Sequence, residues 1–109
     1  MYCNGLGWSL LGQFEDHAGF DGAMVGHAEA PYHFELTTKR VGHVSPTPTT
    51  EDLVVLYIPA VAEWREACAS MISVGFTEVA PCNPFWSPRG RTFKDPDGYR
   101  VVLQNSSWD

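Results

Sequence analysis

The chain has 109 residues, of which 44% are hydrophobic and 18% charged, a composition typical of a single globular domain. Thirteen Asp and Glu outnumber seven Lys and Arg, and no basic run is present, which excludes nucleic acid and anionic membranes as main partners. Three cysteines without a CxxC pair indicate neither a disulfide framework nor a zinc site. The sequence shows no signal peptide and no apolar run of membrane length, so we expect a cytoplasmic protein.

The first forty residues contain two predicted strands. The hydrophobic run of residues 8–14 fits a first strand, and a short apolar segment at 23–25 lies between glycines. Residues 32–38 alternate apolar and polar side chains, which is the clearest two-residue period in the chain. The alternation predicts one face toward a core and one opposite face, with Tyr32, Phe34 and Leu36 on the first and His33, Glu35 and Thr37 on the second.

The middle of the chain predicts a linker, a strand and a helix. Residues 43–52 contain two prolines and three threonines, so they bury little and form a linker. Residues 53–58 are apolar throughout, which predicts a strand covered on both faces. Residues 60–74 carry apolar side chains at helical spacing, with Trp64 on the core side, and Gly75 is the expected C-terminal cap.

The last third predicts a short strand, a loop and a hairpin. Residues 76–79 fit the strand, and the loop at 80–88 contains Phe85 and Trp86. Within residues 90–104, the sequence Asp95-Pro96-Asp97-Gly98 combines a fixed Pro φ, an Asx-type hydrogen bond and a glycine for positive φ. These features predict a turn between two strands, and the order of elements from residue 53 onward is β-α-β-β-β.

This hairpin and its context resemble the vicinal oxygen chelate superfamily, which includes glyoxalases, bleomycin-resistance proteins and extradiol dioxygenases. The resemblance rests on Val74-Gly75-Phe76 after the helix and on Phe93, Asp95 to Gly98, Val101 and Leu103 in the hairpin. It implies an α+β fold of paired βαβββ modules within one domain. Residues 1–42 are then a first module without its opening strand and most of its first helix, 43–52 the linker, and 53–109 the second module. A natural chain that begins further upstream is the alternative.

Enzymes of this superfamily bind one divalent metal through His and Glu side chains on the first and last strands of each module. The resemblance implies that Glu35 occupies one of these positions, whereas Leu53 and Val102 stand at two others. The fourth position falls in the missing strand. One remaining ligand is too few for a divalent ion, so we expect neither a metal nor another cofactor. A dimer partner offers the alternative ligands His17, His27 and His43.

The favoured function is therefore the binding or sequestration of a small aromatic or cationic organic molecule in a pocket without metal. Alternation around the positions named above gives the expected ligand-binding residues: His33, Thr37, Val55, Tyr57, Arg100, Val102 and Gln104, with Phe85 and Trp86 closing over them. Trp86 is equally a candidate core or dimer plug. A buried Glu35 is a candidate catalytic residue, acting as a general base.

Two other functional classes stay open. One is a metal-dependent lyase, isomerase or dioxygenase whose site is completed across a dimer. The other is a structural remnant that interacts with another protein. The missing first strand and helix leave unpaired backbone groups and an uncovered sheet face, which predicts a homodimer.

Overall fold

The computed structural model describes residues 1–42 and 45–108. The chain divides into two compact units, the first spanning Tyr2–Ser45 and the second Pro46–Asp109 together with Met1. The start of the predicted linker at His43, the possible metal ligand at that residue and the end of the predicted second module at Asp109 lie outside the described residues. None of the described helices is long and apolar enough to cross a membrane.

The first unit is a short helix followed by an antiparallel sheet. Helix α1 spans Tyr2–Leu6, and strands β1 (Ser9–His17), β2 (Phe20–Gly26) and β3 (Phe34–Lys39) pair in that order. Because β1 and β2 are joined by only two residues, they form a tight hairpin, and Gly19 adopts a φ of +87° there. The two predicted strands are confirmed, and the apolar segment at 23–25 belongs to a third.

One face of the first sheet packs on aromatic side chains near the helix. The ring of Trp8 stacks on Phe34 at 5.2 Å between centroids and on Tyr2 at 6.2 Å, and Val25 beside them is buried. The sequence analysis placed Tyr32 and Leu36 toward a core as well. That placement was wrong, since Tyr32 is 61% and Leu36 46% exposed.

The second unit has the predicted β-α-β-β-β order. It consists of β4 (Leu53–Tyr57), α2 (Val61–Ser73), β5 (Thr77–Val79), β6 (Gly90–Lys94) and β7 (Arg100–Gln104), with a 3-10 turn at Pro84–Trp86. The sheet order is β4-β7-β6-β5, and β4 runs parallel to β7 while the other pairs are antiparallel. The chain crosses through α2 from β4 to β5 at the opposite edge of the sheet, and the antiparallel strands β5, β6 and β7 then bring β7 beside β4 in parallel.

Helix α2 covers one face of this sheet and forms the main core. The side chains of Cys68 and Met71 on the helix, and of Phe93, Val101 and Leu103 on the strands, are almost completely buried. Trp64 also donates its indole N–H to the carbonyl oxygen of Leu103 at 2.8 Å. Gly75 ends the helix with a φ of +106°, as predicted. The strand over residues 53–57 is only half-buried, contrary to prediction, because it lies at the sheet edge.

The turn between β6 and β7 forms through the side chain of Asp95. Its Oδ1 accepts hydrogen bonds from the backbone N–H groups of Asp97 at 3.0 Å and Tyr99 at 2.9 Å. Gly98 adopts a φ of +95°, a conformation that favours glycine. The predicted hairpin is confirmed, and its turn fixes which residues of β6 and β7 lie opposite each other.

Candidate functional site

The second sheet has a face that points away from helix α2, and we call it the Val102 face. Strand alternation and the observed register define its members. They are Leu53, Val55 and Tyr57 on β4, Arg100, Val102 and Gln104 on β7, Gly90, Thr92 and Lys94 on β6, and Thr77 and Val79 on β5.

The centre of the Val102 face is buried and contains two unpaired polar atoms. Val102 is fully buried, Thr92 is 1% exposed and Gln104 is 7% exposed. Within the described residues, neither the hydroxyl oxygen of Thr92 nor the amide oxygen of Gln104 has a hydrogen-bond partner. A buried polar group without a partner costs about 1–3 kcal/mol, so folded proteins rarely keep one without a reason. Thr92 lies directly opposite Val102, and Gln104 is the next residue of β7 on the same face.

An open groove of about 450 Å³ borders this face. Glu78 and Val79 on β5 and Gly90, Arg91 and Thr92 on β6 line it on the side of the sheet, and Ala80, Pro81 and Ser87 line it on the side of the loop before the hairpin. The groove therefore combines apolar residues with Thr92 and with the ion pair between Glu78 and Arg91, a mixture of apolar and polar groups that suits an organic ligand.

The structure brings together five of the residues that the sequence analysis selected. Val55 on β4 lies opposite Val102 on β7, and Tyr57 on β4 lies opposite Gln104 on β7. Arg100 lies at the other end of β7.

Phe85 and Trp86 form an edge-to-face pair in the 3-10 turn, with 4.8 Å between the ring centroids. Phe85 is 68% exposed and Trp86 is half-buried.

Five members of the face were not predicted from the sequence, namely Gly90, Thr92 and Lys94 on β6 and Thr77 and Val79 on β5. For the three on β6, the hairpin turn is the sequence feature that identifies them. Counting outward from Asp95 and Tyr99 pairs Lys94 with Arg100, and every second residue of β6 then shares the face with Val102.

The candidate residues of the first unit are exposed, with Glu35 and Thr37 on β3 and His33 just before that strand. His33 and Glu35 meet with Nε2 and Oε1 3.5 Å apart, at the outer limit of a hydrogen bond. Their side chains are 46% and 55% exposed, so the burial expected for Glu35 is not present. Two residues on one strand are about 7 Å apart, and the closer approach of these two side chains follows from the position of His33 before β3. Thr37 follows on the same strand, opposite Gly22.

The divalent metal of the superfamily's enzymes does not fit the residues present on the Val102 face. The resemblance implies that Leu53 and Val102 stand at two of the ligand positions, and neither side chain offers an electron pair. Leu53 lies opposite Arg100, whose cation repels a metal ion. Across residues 1–42 and 45–108, no group of three or more His, Cys, Asp or Glu side chains is arranged to hold a metal.

The alternative histidine ligands are engaged locally in the first unit. The Nδ1 atom of His27 accepts a hydrogen bond from the backbone N–H of Glu29 at 3.2 Å. The ring of His17 lies edge-on to Phe14 with 6.0 Å between the centroids. Both side chains are exposed, so a metal ion shared with a second copy of the chain can reach either ring.

Comparison with known proteins gives a consistent result. Residues 1–37 match the YycE-like N-terminal domain, and residues 51–105 match the YycE-like C-terminal domain. The uncharacterized protein YycE of Bacillus subtilis strain 168 is 39% identical over 106 residues, which cover 97% of this chain and 76% of that protein.

Two solved structures are also similar. A crystal structure of the Bacillus subtilis YycE protein, described as a protein of unknown function and a candidate glyoxalase/fosfomycin resistance protein, has 38% identity. It superimposes with a TM-score of 0.90 over 99% of this chain and 79% of its own. The trypanothione-dependent glyoxalase I of Leishmania major has a TM-score of 0.66 at 19% identity, covering 96% of this chain and 73% of its own, and shows the shared fold. The chain thus belongs to the YycE-like family and has the α+β fold of the glyoxalase/fosfomycin resistance type.

Proposed function

We propose that this protein binds a small organic molecule on the Val102 face without the help of a metal ion. The observation that carries the proposal is the buried centre of that face. There, within the part of the chain that the structure describes, Thr92 and Gln104 each keep a polar atom without a partner beside the aliphatic side chain of Val102. A ligand that enters from the groove lined by Thr92 and hydrogen-bonds these atoms would remove the cost of leaving them unpaired.

The similarity to a candidate glyoxalase/fosfomycin resistance protein agrees with a role in handling small molecules. Shared fold alone does not define chemistry, so the residues of the face are the main support for the proposal. An apolar centre with a few convergent polar groups is the usual composition of an organic-ligand site. The aliphatic residues at two ligand positions favour binding over metal-dependent catalysis.

A compound screen by thermal shift in the presence of EDTA tests this function. Compounds that bind should raise the melting temperature of the intact chain. Their affinities should fall about tenfold in Thr92→Val, because the variant removes the hydroxyl and keeps the shape of the side chain. Thr77→Val is the matched control, since Thr77 is exposed on the same face and strand β5 ends the sheet there.

Two outcomes would contradict the proposal. One is that compounds stabilise the protein only when EDTA is left out of the screen, which would indicate a metal-dependent site. The other is that Thr77→Val and Thr92→Val change the affinities equally, which would place the ligand elsewhere.

We also propose that the protein is a homodimer. The first unit presents large hydrophobic side chains to solvent, including Leu10 at 55% and Leu36 at 46% exposure. Its three-stranded sheet has β1 and β3 as edges. Exposed apolar groups and open edges favour association between copies. Sedimentation velocity at micromolar concentration tests this, and a single species with the mass of one chain would contradict it.

A further inference from the structure

Two cationic side chains lie directly opposite each other at one end of the Val102 face. Lys94 on β6 pairs with Arg100 on β7 in the antiparallel register, and both residues are half-buried. Like charges in such a cross-strand position repel each other and destabilise the sheet. A chain with a net charge of −6 has few cations, so two of them placed together need an explanation.

No carboxylate of the described residues forms an ion pair with either cation, since the pairs there involve His33, Arg40 and Arg91 instead. The nearest acid in sequence, Asp95, turns its Oδ1 toward the backbone N–H groups of the hairpin turn. The other members of the Val102 face include no acidic residue. The positive charge at this end of the face is therefore uncompensated by the sheet that carries it.

The cations are aligned with the unpaired polar atoms described above. Thr92 is two residues from Lys94 on β6, and Val102 is two residues from Arg100 on β7. Two residues along a strand span about 7 Å, so the charged end and the Thr92 hydroxyl are separated by roughly the length of a small aromatic molecule. Gln104 lies about 7 Å further along β7.

We propose that the ligand is an organic anion, with a carboxylate or phosphonate group between Lys94 and Arg100 and a hydroxyl or N–H group at Thr92. The inference rests on the proposed function and defines the charge of the ligand. It differs from the cationic ligand favoured by the acidic composition of the whole chain, because binding responds to the charges lining the site. An anion also relieves the repulsion between Lys94 and Arg100.

Four matched probes test the inference by isothermal titration calorimetry on the intact chain at low salt with EDTA. They are 4-hydroxyphenylacetate, its neutral analogue 4-hydroxyphenylacetamide, the cation tyramine, and (4-hydroxybenzyl)phosphonate. We expect the carboxylate to bind about tenfold or more tightly than the amide, and tyramine more weakly still. Comparison of the two anions tells whether the site prefers a carboxylate or a phosphonate.

Variants that remove one positive charge show whether Lys94 and Arg100 cause the preference for the anion over the amide. In Lys94→Gln and in Arg100→Gln, the preference for the anion over the amide should fall about tenfold. Arg65→Gln removes the same charge from an exposed position on helix α2 and should leave the preference unchanged.

The inference and the proposed function fail in different ways. Equal affinity for anion, amide and cation, or an equal loss in Arg65→Gln, would overturn the inference and leave ligand binding supported. If none of the four probes binds at millimolar concentration, while the screen yields only compounds unaffected by Thr92→Val, both proposals are wrong.

Discussion

Gln104 lies directly opposite Gly90, and its amide oxygen fills the space that a side chain at Gly90 would need. A Cβ atom built on Gly90 would be 2.5 Å from Oε1 of Gln104 and 2.5 Å from the backbone oxygen of Trp86. The glycine therefore allows the Gln104 side chain to lie against the sheet beside Val102, where its amide oxygen has no partner within the described residues.

Gly90→Ala should destabilise the protein by about 1–3 kcal/mol, because one of the two clashing atoms belongs to the backbone and cannot rotate away. Urea unfolding measures the change. Gly26→Ala is the control, since a Cβ there makes contacts of 3.5 Å or longer, within the ordinary range. Equal stability of Gly90→Ala and the wild type would contradict the described packing of Gln104.

Thr92→Val should raise the free energy of unfolding by about 1 kcal/mol, because it removes a buried hydroxyl that has no partner among residues 1–42 and 45–108. Stability would then increase while ligand affinity decreases, a combination typical of residues kept for function. Thr77→Val, at an exposed position, should change the unfolding free energy by less than about 0.5 kcal/mol. A destabilised Thr92→Val would show that the hydroxyl already has a partner in the free protein.

Glu78→Gln should alter the pH dependence of stability. Arg91 donates hydrogen bonds to both carboxylate oxygens of Glu78, at 2.6 and 2.8 Å, and these bonds lower the pKa of Glu78 against the opposing effect of desolvation. Since the folded pKa is below the unfolded value, the stabilisation is present at neutral pH and is lost as the pH falls through the folded pKa. The two side chains are 33% and 41% exposed, so the contribution is about 0.5 kcal/mol after solvent screening.

Denaturant unfolding of wild type and Glu78→Gln between pH 7 and acid conditions measures this effect. The two stabilities should differ at neutral pH and converge in acid, whereas the control Glu51→Gln should follow the wild type throughout. A constant difference between wild type and Glu78→Gln at every pH would mean that Glu78 ionisation is not linked to folding.

Glu35 was predicted to be a general base on the premise of burial, which the structure does not show, so removal of its carboxylate is the direct test of that role. Glu35→Gln should abolish turnover of a substrate while changing the unfolding free energy by less than about 0.5 kcal/mol, because the side chain is 55% exposed. Glu29→Gln is the control for loss of an exposed carboxylate in the same unit. Undiminished turnover in Glu35→Gln would remove this residue from the mechanism.

The parts of the fold that could be predicted from the sequence are those determined by local chemistry. Asp95 and Gly98 define the hairpin turn through their own hydrogen bonds and φ angle, so the turn and the register of β6 and β7 follow from the sequence. Helical spacing likewise predicted α2 and its cap at Gly75.

Burial and hydrogen-bond satisfaction could not be predicted in this way. The alternation in residues 32–38 identified two faces of β3, but Leu36 is exposed because burial depends on what other elements cover that face. The half-buried state of β4 depends on its position at the sheet edge. That Thr92 lacks a partner depends on the packing of several strands, which no local pattern encodes.

The affinity of the best-stabilising compound from the screen, with and without metal, tests metal-independent binding at the Val102 face most directly. We would measure it by calorimetry after dialysis against EDTA and again with added Ni, Zn, Mn or Fe, alongside elemental analysis of the purified protein. We expect the same dissociation constant under every condition and no stoichiometric metal. Stoichiometric metal in the purified protein, or binding only after metal is added, would contradict the proposal.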